Sequence, residues 1–151
     1  MTIHERIRHI FLQPRDGYSI SEAAELLAYS HEEIVAAVGE GDLAIEQFGD
    51  IPRVPWEEVA LAAVERWSQE VIETALEGDI ESVMPELVRL TELRVRVPRF
   101  GVVVLGQVAQ REGTTINEIM ARQLLDLAVV EAETLDRSVS GLSAALRWPL
   151  L

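Results

Sequence analysis

The stretch Leu93-Arg-Val-Arg-Val97, closed by Pro98, constrains the architecture more than any other part of this 151-residue chain. In a β-strand successive side chains point to opposite faces, so Leu93, Val95 and Val97 share one face and Arg94 and Arg96 the other. A lone strand of this kind has nothing to cover its apolar face and no partner for its backbone N–H and C=O groups. A fold that contains it must supply a second strand. Pro98 ends the strand, and Phe100 to Arg111 reads as a helix with Val103, Val104, Leu105 and Val108 inward, stopped by Gly113. Thr115-Ile-Asn-Glu118 has capping-box spacing and opens a longer helix, in which Ile116, Ile119, Met120, Leu124, Leu127 and Val130 recur at helical intervals.

Strand, helix, Gly-Thr-Thr turn and helix, in that order, resemble the ribbon-helix-helix family of Arc, MetJ and many antitoxins. The similar stretch covers about residues 91–130. The resemblance implies a homodimer in which two chains pair their strands into one antiparallel ribbon, interlock their helices and place the ribbon in the major groove of duplex DNA. It implies base contacts by Arg94 and Arg96 and phosphate contacts by Arg99 and by Thr114 and Thr115 at the second helix N-terminus. Leu93, Val95, Val97 and Ile119 are then the dimer core. Arginine is chemically apt, since it grips guanine O6 and N7 with two hydrogen bonds, and a helix N-terminus offers free N–H groups to an anion. Read from the residues alone, the two arginines also fit the solvated face of an edge strand.

Upstream, Ser19-Ile-Ser-Glu22 and Ser30-His-Glu-Glu33 each have capping-box spacing before short apolar helical faces. A hairpin around Gly49-Asp50 follows, and then a helix predicted over Trp56 to about Leu76. This order, over about residues 18–67, is similar to the helix-turn-helix of the MerR and excisionase type. Its second helix begins with His31, Glu32 and Glu33, where that family usually presents Arg or Lys, so reduced DNA contact is expected, with Arg53 on the wing as the nearby phosphate ligand.

Charge follows the same division. Residues 1–91 hold 6 Arg and 19 Asp or Glu, a net −13, whereas residues 92–151 hold 7 of each. From Leu93 to Arg111 there are four arginines and no acid, a local +4 suited to phosphate. The chain has no lysine and no cysteine, which removes disulfides and thiolate chemistry. The three histidines lack ligand spacing, and no phosphate loop or nucleophile elbow occurs, so neither enzyme activity, metal nor cofactor is expected. No signal core or membrane-length apolar run interrupts the sequence, which points to the cytoplasm.

The expected chain is mainly α. It has a winged helix-turn-helix-like domain over 1–76, a linker over 77–90, a ribbon-helix-helix module over 91–137 and an apolar tail over 138–151. Leu142, Leu146 and Trp148 of that tail either cover a cognate toxin or fold back on their own dimer. The expected function is a DNA-binding, antitoxin-type transcriptional regulator. The alternative is a protein-interaction adaptor built from DNA-binding folds.

Overall fold

The computed structural model describes residues 1–150, and these are mainly helical with one small three-stranded antiparallel sheet. They form two compact units. Unit 1 comprises Met1–Leu90 and the C-terminal residues from Arg147 on, and unit 2 comprises Thr91–Leu146.

Unit 1 opens with a helix at a place where the sequence reading put none. In α1 (Ile3–Leu12) the Thr2 hydroxyl accepts the Glu5 N–H at 3.2 Å and the Glu5 carboxylate accepts the Thr2 N–H at 2.6 Å, while Ile7, Ile10 and Phe11 are buried. A two-residue strand, β1 (Gly17–Tyr18), leads into α2 (Ile20–Leu27) and α3 (His31–Glu40), each started by the predicted capping box at Ser19 and Ser30. The wing is β2 (Glu46–Phe48) and β3 (Ile51–Pro55), turning at Gly49-Asp50. The sheet order is β1-β3-β2, with Tyr18 opposite Val54 and Glu46 opposite Arg53.

The helix predicted from Trp56 to about Leu76 is two helices, α4 (Trp56–Arg66) and α5 (Gln69–Leu76). Trp67 between them is extended, at φ −117° and ψ 138°, and buried. Ser68 then takes the extended N-cap conformation that serine favours. The break lets α5 turn back and pack on α1, burying Ile72, Ala75 and Leu76.

The segment expected as a linker, 77–90, belongs to unit 1. It forms α6 (Ile80–Val83) and a 3-10 turn (Glu86–Val88), and Met84 between them is 1 % exposed within the core. Glu73 on α5 accepts the Leu90 N–H at 2.6 Å, and Gln69 donates to the Val88 carbonyl. Pro85 does interrupt the helix, but the apolar side chains around it are used for packing rather than left as a tether.

Unit 2 begins with a wholly exposed stretch, 91–98, with no regular secondary structure. It continues with α7 (Arg99–Glu112) and α8 (Ile116–Leu135), joined by Gly113 at φ 67° and by the Thr115 cap. A short α9 (Leu142–Arg147) follows. Unlike unit 1, it buries little. Among its described apolar side chains only Ala109 and Ile119 are buried, while Val103 and Val104, expected inward, are each 56 % exposed and Leu124, Leu127 and Val130 are also exposed.

Candidate nucleic-acid interface

The candidate interface starts from residues 91–98. Every residue there is exposed, so Arg94 and Arg96 are presented to solvent beside Leu93, Val95 and Val97. The one ion pair in the stretch joins Arg94 to Glu92 at 4.0 Å, with both side chains more than nine-tenths exposed. Such pairs are worth at most about 1 kcal/mol and do not hold a guanidinium against a phosphate or base that competes for it. Arg99 is exposed at the first position of α7, whose cap residue Pro98 makes no side-chain hydrogen bond.

The rest of the expected phosphate contacts are already engaged. At the start of α8, the Glu118 carboxylate accepts from the Thr114 hydroxyl and, at 3.0 Å, from the Thr115 N–H, while Thr115 Oγ1 accepts the Glu118 N–H at 3.1 Å. The Thr114 hydroxyl foremost, and then the Thr115 N–H, hold the Glu118 carboxyl below its ordinary pKa. A carboxylate therefore fills the position proposed for a phosphate, because Glu118 is the third residue of its own capping box. Phosphate contact at Thr114 and Thr115 requires displacing it.

Arg53 is corrected in the same way. Its guanidinium donates to the Gly17 carbonyl at 3.1 Å, stapling β3 to β1, and the side chain is half-buried. The charge of Arg111 is also locally offset. Glu112 accepts from Arg122 at 2.6 Å and from Arg111 at 3.5 Å, and the Arg122 guanidinium foremost lowers the Glu112 pKa. Of the expected arginines, Arg96 and Arg99 pair with no carboxylate among the described residues and Arg94 has only the exposed 4.0 Å contact with Glu92.

On α3 the carboxylates face solvent as expected. Glu33 caps Ser30 and reaches Arg66 at 3.3 Å, and the Ser30 backbone N–H is the main cause of its lowered pKa. No Arg or Lys lies on this helix. Among the described residues no three His, Asp or Glu side chains converge as metal ligands would, and no helix is long and apolar enough to cross a membrane.

No protein-family model, curated protein or solved structure matches this chain. The site therefore rests on its own geometry.

Of the residues expected in the dimer core, Leu93, Val95 and Val97 are exposed, but Ile119 is 5 % exposed within its own chain and needs no partner to cover it. The tail is divided. Leu142 and Leu146 are half-buried on α9 in unit 2, whereas Trp148 packs into unit 1, where its indole N–H donates to the Val83 carbonyl at 2.9 Å. For Trp148 the structure has the chain folding on itself, not a strip held out for a partner. The capping box expected from Thr115-Ile-Asn-Glu118 is the arrangement found at the α8 N-terminus.

Proposed function

We propose that the chain is a homodimeric, DNA-binding transcriptional regulator acting in the cytoplasm, the antitoxin of a type II toxin–antitoxin pair that represses its own promoter. One observation carries the reading: Leu93, Val95 and Val97 alternate with Arg94 and Arg96 on an exposed segment that pairs with no described strand of its own chain. A second copy paired in antiparallel register would complete both sets of backbone hydrogen bonds, cover the three apolar residues, and offer four guanidinium groups on one surface. Each bidentate arginine–guanine contact is worth about 1–3 kcal/mol of discrimination. The exposed valines and leucines of α7 and α8 supply the further area that a shared helical core needs. The acidic α3 leaves unit 1 a minor part in DNA contact and fits it for protein contact.

The deciding experiment is a titration of the intact protein with duplex DNA at several salt concentrations. A ribbon reader binds with an affinity that falls steeply as salt rises, and Arg94→Ala/Arg96→Ala abolishes binding while the dimer persists. Binding retained by that variant refutes the ribbon assignment. Absence of binding by the native protein even at low salt selects the adaptor reading, which the carboxylate at the α8 N-terminus favours.

A further inference from the structure

A cavity of about 560 Å³ opens in unit 1 where the approach to β1, the wing and the first turn of α4 meet, lined among others by Phe48, Trp56, Asp16, Glu46 and Glu57. That volume lies within the roughly 300–1,000 Å³ of ligand pockets. Both rings are held in place. The Trp56 indole N–H donates to the Ile10 carbonyl at 2.8 Å. Phe48 lies so close over Gly17 that a Cβ there would sit 3.2 Å from two ring carbons and 3.1 Å from the Arg53 Cβ, so the glycine is what admits the ring.

Three of the four surrounding carboxylates, Asp16, Glu46 and Glu57, are unclaimed. Arg15, the cation of the lining, pairs with Glu22 outside it at 3.3 Å, and Glu58 accepts the Ala44 N–H at 2.9 Å. The side chains of Asp16, Glu46 and Glu57 make no hydrogen bond or ion pair with any described residue. Aromatic faces and carboxylates together select a cation, guanidinium above all, since it stacks on rings and bonds carboxylates with two parallel N–H groups. Elsewhere this chain makes the same combination internally, with Arg66 4.6 Å from the Tyr29 ring centroid and 3.3 Å from Glu33.

Two features identify the occupant as a peptide. Glu46 and Phe48 belong to β2, which is an edge strand, and its outer backbone groups are free to pair with an extended segment. The net −13 of residues 1–91 attracts a basic chain and repels nucleic acid. We propose that this cavity receives an arginine side chain from an extended, basic segment of a partner protein that pairs along β2.

The test is a fluorescence-anisotropy titration of the full chain with a labelled Thr-Val-Arg-Val-Thr peptide and its citrulline counterpart, which keeps the shape and loses the charge. The arginine peptide should bind at least about tenfold more tightly than the citrulline peptide. Glu46→Gln/Glu57→Gln should weaken it by about tenfold, while Glu32→Gln/Glu40→Gln, the same charge change on α3, leaves it within about twofold. Phe48→Leu should also weaken it. Three results overturn the proposal: no binding to the native chain, equal loss in both double variants, or arginine amide binding as tightly as the peptide, which marks a small-molecule site. Arg94→Ala/Arg96→Ala should leave peptide binding intact, so this site and the DNA reading fail separately.

Discussion

The Trp148 ring stacks on Phe11, with centroids 5.5 Å apart and planes 17° from parallel. Residues 137 positions apart in sequence thus close one core, and the indole also bonds the Val83 carbonyl. Trp148→Ala should lower the stability of unit 1 by about 2 kcal/mol, from lost aromatic burial and the stacking term. Urea unfolding followed by the fluorescence of Trp56 and Trp67 measures it, and an unchanged midpoint would show that the stack contributes nothing.

Val95 is 57 % exposed in the single chain, so an aspartate there can keep its carboxylate in water. In a paired ribbon it would bury a carboxylate. Val95→Asp should shift the light-scattering mass from twice 16.8 kDa to 16.8 kDa without loss of helicity. A native protein already at the lower mass refutes the dimer.

Arg99 sits at the start of α7 with no ion-pair partner among the described residues. Acting on phosphate alone, it contributes affinity and no sequence preference. Arg99→Ala should reduce the slope of log affinity against log salt by about 2 per dimer while leaving the ranking of DNA sequences unchanged. A changed ranking would make it a base reader instead.

Glu118 is held below its ordinary pKa by the Thr114 hydroxyl and the Thr115 N–H. A carboxyl depressed in the folded state stabilises the fold above its unfolded value, near pH 4.3, and that contribution is lost as pH falls through the folded value. Native α8 should therefore be better protected than Glu118→Gln at neutral pH, with the difference closing under acid. Amide exchange across α8 from pH 7 to about pH 3 follows this, and a difference constant with pH would remove the charge from the cap.

Gly113 ends α7 at φ 67°, and a Cβ there would meet nothing within 4 Å. The cost of Gly113→Ala is then conformational rather than steric, about 1 kcal/mol. The exchange rates of α7 and α8 amides should rise accordingly; unaltered rates would mean that the turn adapts freely.

What the sequence disclosed was local. Ser19 with Glu22, Ser30 with Glu33, and Thr115 with Glu118 are reciprocal bonds made within four residues, so their spacing alone located three helix starts. Thr2 with Glu5 carries the same signal for α1, and Ile7, Ile10 and Phe11 its apolar face, but charged residues among them drew attention away. The break at Trp67 was hidden because its indole keeps the helical phase of α4 while its backbone leaves the helix. Met84 is buried, and Trp148 partly buried, by distant elements, which periodicity does not report. Arg53 was legible as a cation on a wing, but not its bond to Gly17, which depends on how β1 is paired. The pairing proposed for Leu93 to Val97 involves a second chain, which the fold of one chain does not report.

Since unit 1 resumes at Arg147 after unit 2 ends at Leu146, the two are nested in the gene rather than consecutive. A premature stop codon between positions 91 and 146 damages both, because it truncates unit 2 and also discards Trp148. An in-frame deletion of residues 91–146 is the change that removes one and spares the other, and by the same reasoning that stretch is the one recombination can exchange whole.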